Sequence, residues 1–133
     1  MSAGDFFDSN ILLYIVSADT AKAERAESLV HDGGTISVQV LNEFVHVARR
    51  KYGLPYTSIR AILNNFCDAC TVRPLDVDTH ALGLDIAERY RFGIYDSLIV
   101  ASALLAGCRT LYTEDLQHGQ TIDGLAVRDP FKA

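Results

Sequence analysis

The chain has 133 residues, 49% of them hydrophobic and 22% charged, with a formal net charge of −5. This fits one globular domain over residues 1–133. No apolar run is long enough to span a bilayer and no basic-then-apolar leader opens the chain, so a cytoplasmic protein is expected. An acidic balance argues against a simple polyanion binder, unless something other than side chains supplies positive charge, as a divalent metal does.

Taken in order, "DFFD" reads as a short strand and "NILLYIVS" as a short helix. "TAKAERAESLVHDGG" is helical by composition and is stopped by Gly33-Gly34. "TISV" is a short β-branched strand. "QVLNEFVHVARRKYG" is an amphipathic helix with Leu41, Phe44, Val45, Ala48 and Tyr52 on one side. "PYTSIRAILNNFCDAC" opens on Pro55 and is again helical. "TVRPL" is a strand that Pro74 confines to an edge. "DVDTHALGLDIAERYRFG" is a helix with Asp78 or Thr79 as its cap. "YDSLIVASALLAG" is apolar all round, hence buried. "TLYT" is the next strand and "LAVRD" the last. Short strands alternating with helices predict a parallel sheet between helical layers, a three-layer α/β/α sandwich.

The three cysteines, Cys67, Cys70 and Cys108, do not make a disulfide framework. Cys67 and Cys70 form a C-x-x-C without the second pair that zinc needs. They close an apolar-periodic stretch, where the helix dipole opposes thiolate, so ordinary packing is expected. His31, His46, His80 and His118 are scattered and lack metal-ligand spacing; His118, in the loop "EDLQHG" near Asp115, is the one to watch.

The acids fall in a pattern. Asp8 closes the first strand, Glu43 lies in the helix after "TISV", Asp96 begins the buried helix, and Asp115 follows "TLYT". In a sheet of this kind ligands gather beyond the carboxyl ends of the strands, and all four acids belong to that edge. Singly, Asp8 and Asp96 serve as helix caps, Glu43 as a solvated helix residue and Asp115 as a loop residue. Together, four carboxylates on one edge repel and raise one another's pKa values unless a cation neutralises them. Oxygen donors without nearby His or Cys favour Mg²⁺ or Mn²⁺.

"FFDSNILLY", "ISVQVLNEF", "YDSLIVASA" and "LYTEDLQHG", in this order and spacing, resemble the four acidic motifs of the PIN-domain family. The closest likeness is to VapC-type toxins of type II toxin–antitoxin pairs. The resemblance implies a metal-dependent endoribonuclease that cleaves RNA phosphodiesters with a metal-activated water. It implies Mg²⁺ or Mn²⁺ held by Asp8, Glu43, Asp96 and Asp115, with Asn10 and Thr113 supporting the site. The family's spacing selects Asp115 over Glu114, which is expected to point elsewhere. The implied partners are an RNA substrate, a small antitoxin protein that covers the acidic edge, and a second copy of the chain, for which the apolar "NILLYIV" offers a face. Cations for RNA stand in "RRKYG" (Arg49, Arg50, Lys51) and "ERYRFG" (Arg89, Arg91). Solvated helix ends account for both groups; Arg89 and Arg91 are the better substrate candidates because they precede Asp96.

Other readings compete. A haloacid-dehalogenase-type phosphatase needs a second Asp two residues after the first, where this chain has Asn10. A non-catalytic module would use the acids as a docking surface. A PIN-type nuclease acting on DNA or in RNA processing keeps the same four acids.

Overall fold

The structure is a computed structural model that describes residues 4–132. Strand β1 (Asp5–Phe7) runs straight into the short helix α1 (Ser9–Ile15). Helix α2 (Thr20–His31) starts at Asp19, whose carboxylate accepts from Lys22 N. Its end turns through Gly33, at φ 88°, into β2 (Gly34–Ser37). Ser37 then caps α3 (Val38–Arg50), its hydroxyl accepting from Val40 N. Helix α4 (Tyr56–Ala69) leads into β3 (Cys70–Arg73), followed by α5 (Val77–Tyr90) and α6 (Ile94–Leu105). Strands β4 (Thr110–Tyr112), β5 (Thr121–Ile122) and β6 (Leu125–Arg128) complete the sheet.

The strand order is β3-β2-β1-β4-β6-β5, parallel throughout except for β5, which runs antiparallel to β6. From β1 the chain builds outward through β2 to β3, then crosses back to lay β4 on the other side of β1. The topological switch point therefore lies between β1 and β4. Phe6 and Phe7 point to opposite faces of β1, as adjacent strand residues must, and both are fully buried. Each buried aromatic contributes roughly 1.5–3 kcal/mol of apolar transfer. Both sheet faces are thus covered by helices, which makes the three-layer α/β/α sandwich. No helix of the described residues is long and apolar enough to cross a membrane.

Helix α6 is buried continuously from Ser97 to Ala103, with α5 packed along it. Gly83 permits that approach: a Cβ there would lie 2.8 Å from Leu98 Cδ2. A mid-helix glycine costs about 1 kcal/mol against alanine, and here the close packing offsets it.

Four expectations need correction. The cap of α5 is Asp76 rather than Asp78 or Thr79; its Oδ1 accepts from both Thr79 N and Thr79 Oγ1, so the helix begins two or three residues earlier than expected. Cys70 opens β3 instead of closing α4; Cys67 is exposed, Cys70 buried and both are free. Burial raises the Cys70 thiol to about 11, which suits packing and not redox chemistry. The two-residue strand β5 is too short to leave a pattern. The face offered by "NILLYIV" is largely spent on the core: Ile11 and Leu12 are fully buried, and Leu13, Tyr14, Ile15 and Val16 pack against them. The confinement of "TVRPL" to an edge holds, since β3 ends the sheet one residue before Pro74.

Candidate metal centre

Asp8 is carried to the end of β1 by its backbone, whose N–H donates to Tyr112 O across the switch point (3.0 Å). There it caps α1, Oδ1 accepting from Ser9 N at 2.7 Å. The capping role and the site role fall on one residue. Its other oxygen accepts from the buried Thr113 hydroxyl at 2.7 Å. Thr113 is itself held: its Oγ1 accepts from Asp115 N (3.1 Å) and from Asn10 Nδ2 (3.3 Å). Asn10 Oδ1 accepts in turn from Glu114 N at 3.4 Å. Asn10 and Thr113 thus form the frame that orients Asp8 and the β4 loop.

Asp96 reaches the same place from the first turn of α6 and Asp115 from the loop after β4. Asp8, Asp96 and Asp115 each offer an oxygen, and these lie within 4.8 Å of one another. Asp8 is buried, Asp96 half-buried and Asp115 exposed, so the group opens to solvent on one side. Glu43 is not one of this trio. It borders the same cleft, of about 620 Å³, with its oxygens taken by Ser9 Oγ and Gln39 Nε2, both donating at 2.9 Å. The sequence places four acids on this edge; the fold draws three together and holds the fourth beside them.

Electrostatics sharpen the picture. Burial, above all, pushes Asp8 from 3.8 up to about 7; the Asp115 and Glu43 charges raise it further, while the bonds from Thr113 and Ser9 act the other way. Asp96 is also raised, by burial first and then by Asp115 and Glu43. Among the described residues no Lys or Arg pairs with any of the three acids. Oxygen-only donors, mutual repulsion and an open side suit a hard divalent cation. The residues present fit such an ion.

Ser9 and Gln39 do not stand out in the sequence. Their signals are weak: Ser9 is flanked by Asp8 and Asn10, and Gln39 lies one turn before Glu43 on the same helix face. Glu114 does point elsewhere, accepting from Tyr14 Oη at 2.7 Å and Lys22 Nζ at 3.0 Å. Arg89 does not line the acid cleft; its guanidinium is paired with Asp123 by two hydrogen bonds, at 2.6 and 3.1 Å. Arg91 takes a left-handed backbone, φ 60°, at the C-cap of α5, and does not line the cleft either. His118 accepts from Asp129 N through Nδ1, away from the trio.

No curated protein sequence matches the chain. Among solved structures, a toxin–antitoxin complex from Klebsiella pneumoniae is similar at TM-score 0.71 and 21% identity, covering 97% of this chain and 99% of that one. A DNA-bound VapBC from Salmonella typhimurium gives 0.70 and 21%, over 95% and 97% of the two chains. VapC20 from Mycobacterium tuberculosis, a toxin that cleaves the sarcin–ricin loop, gives 0.69 and 17%, over 84% and 89%. At these identities the likeness is one of fold. The PIN domain family model matches residues 6–121, which takes in all four acids. The chain belongs to the PIN domain family.

Proposed function

We propose that the chain is a single nuclease domain, a metal-dependent endoribonuclease acting as the toxin of a toxin–antitoxin pair. One observation carries this reading: three carboxylates from three distant parts of a PIN-family chain bring oxygens within 4.8 Å of one another beside the switch point of the sheet, two of them lining an open cleft, and among the described residues no Lys or Arg pairs with them.

Asp8, Asp96 and Asp115 would hold Mg²⁺ or Mn²⁺, which when bound supplies charge neutralisation and Lewis acidity for phosphodiester hydrolysis. The chain's own contribution is positioning. Thr113 keeps one Asp8 oxygen directed while Ser9 N fixes the other. Asn10 ties Thr113 to the loop that presents Asp115. Glu43, held by Ser9 and Gln39, keeps a further negative charge at the cleft wall, suited to accept a proton from an attacking water. Asp115, exposed, is the acid that an arriving phosphate meets first.

The partner we propose is a small antitoxin, supported by the likeness of fold to the toxin–antitoxin complex from Klebsiella pneumoniae and to the DNA-bound VapBC from Salmonella typhimurium. An antitoxin arginine entering the trio would match its charge and planar geometry. A homodimer is part of the proposal; with α1 spent on the core, exposed apolar contact is offered by Val77 and Leu84 of α5.

The test is cleavage of RNA by the purified chain, freed of partner, with Mn²⁺ or Mg²⁺ and then with chelator. Metal-dependent cutting that Asp8→Asn or Asp96→Asn abolishes in a folded protein supports the reading. RNA intact under every condition contradicts it.

A further inference from the structure

Helix α3 changes charge along its length. Gln39 and Glu43 stand at the acid end, His46 and Arg50 further along, at the spacing that puts side chains on one helix face. At 1.5 Å per residue, Glu43 and Arg50 are separated by about 10 Å along the axis. Asn42 and His46, both exposed, wall two clefts at once: the acid cleft and a neighbour of about 500 Å³ lined also by Arg49, Arg50 and Tyr56. The two clefts therefore adjoin along α3, with Asn42 and His46 common to both. Exposed aromatic rings stand at both ends of it: Tyr95, 64% exposed, next to Asp96, and Tyr56, 53% exposed, at the basic end. The Arg49 guanidinium lies 4.5 Å from the Tyr56 ring centroid.

We propose that this groove along α3 is a track for single-stranded RNA, with Arg50 and Arg49 on the phosphates and Tyr56 and Tyr95 stacking bases. The identity of the ligand rests on the nuclease reading above. In a chain of net charge −5, cations have to be concentrated locally to hold a polyanion, and here they continue the acid cleft. Pairing with the helix dipole accounts for arginines in the last turn of α3, but not for the exposed Tyr56 ring beside them. Rings and cations together are how single strands are gripped without base readout, and a duplex leaves no base face for the rings. Arg89, the cation nearer to Asp96 in sequence, is occupied by Asp123. A second basic cleft, lined by Arg25, Arg128 and Lys132, shares no residue with the acid cleft and serves as an internal control.

The experiment is fluorescence anisotropy of a short labelled oligouridylate with the full chain, in the Asp96→Asn background that blocks cleavage. The track predicts that Arg50→Glu and Tyr56→Ala each weaken binding on the order of tenfold. Arg50→Ala lowers the slope of log affinity against log salt by about 0.7 and Arg50→Lys restores it, a readout that a merely structural arginine would not move. The Arg25→Glu/Lys132→Glu double variant binds as the parent does, and thermal melts confirm that each variant is folded. Unchanged affinity in Arg50→Glu and Tyr56→Ala overturns the track, as does loss of binding in the Arg25/Lys132 variant. So does absence of binding by the parent at low salt. If Arg50→Glu spares RNA binding but abolishes capture of the co-expressed antitoxin, the groove belongs to a protein partner and the track is wrong. RNA that binds on α3 but is never cut by the wild-type chain sinks the nuclease reading alone. RNA that is cut while the variants bind normally sinks the track alone.

Discussion

Glu114 and Asp115 are neighbours in the chain and belong to opposite electrostatic regions. Glu114 turns to Lys22 and Tyr14, whose cation and hydroxyl satisfy its oxygens at 3.0 and 2.7 Å. Tyr14 is raised by the Glu114 hydrogen bond, and Lys22 is raised by its bonds to Tyr14 and Glu114. That network is closed: every charge has a partner, and the Tyr14 ring packs edge-on against Phe131. Asp115 turns to Asp8 and Asp96, with oxygens within 4.8 Å, and among the described residues no Lys or Arg pairs with any of the three. A carboxylate that comes with its cation is part of the scaffold. Carboxylates brought together without one carry an excess of negative charge that a proton or an outside cation can neutralise.

The largest effect expected from breaking this contrast comes at Asp96. In the metal-free protein, Asp96→Asn removes repulsion from a crowded group, so Tm should rise by a few degrees while cleavage falls to the level of chelated controls. A lower Tm in the metal-free variant, measured by calorimetry, would mean that the trio is already compensated within the chain.

The second effect is in pH. Asp8 holds its proton up to about pH 7 in the native metal-free state and loses it near 3.8 when unfolded. The native state therefore binds more protons between those values, and stability falls as pH rises from about 4 through 7, then levels off. Metal reverses the preference by binding the ionised form, so Mn²⁺ affinity should climb with pH until about 7 and flatten above it. Denaturant titrations across this range with and without Mn²⁺ read both trends; a metal-free stability that rises over that interval contradicts the burial of Asp8.

Smaller effects are expected on the paired side. Glu114→Gln should cost about 1 kcal/mol, because the Lys22 pair is partly exposed and a Tyr14 bond is weakened. Mn²⁺ affinity should stay within about twofold, since Lys22 and Tyr14 already satisfy that carboxylate. Titration of the variant with metal decides it. The smallest effect is at Arg91, whose left-handed backbone at the end of α5 suits glycine. Arg91→Gly should stabilise by several tenths of a kcal/mol and leave RNA cleavage unchanged; a marked loss of activity would restore Arg91 as a substrate contact.

Much of this was legible before the fold was known. Two acids at strand ends and two in the first turns of helices are local features, each beside its own apolar run, and the sandwich follows from the alternation of strands and helices. What was not legible is long-range pairing. Tyr14 meets Glu114 across 100 positions, and nothing near either residue announces the other. Glu43 looks equivalent to the other acids in sequence, yet Ser9, from another element, takes one of its oxygens and sets it beside the trio. Arg89 lies close to Asp96 along the chain, whereas its partner Asp123 sits in the turn between β5 and β6, a hairpin with too few residues to leave a periodic signal. Asp76 is masked as a cap because the acid and threonine after it, Asp78 and Thr79, offer the same chemistry.

The central claim is that the trio and not its paired neighbour receives the cation. Isothermal titration of Mn²⁺ into the purified, partner-free chain tests it most directly, with Asp96→Asn and Glu114→Gln alongside. Loss of an outer support typically weakens metal sites about 10- to 100-fold, so loss of a ligand should cost at least about a hundredfold. The account predicts saturable Mn²⁺ binding that Asp96→Asn abolishes or weakens to that extent and Glu114→Gln preserves. Heat traces without binding, or equal losses in both variants, would contradict it.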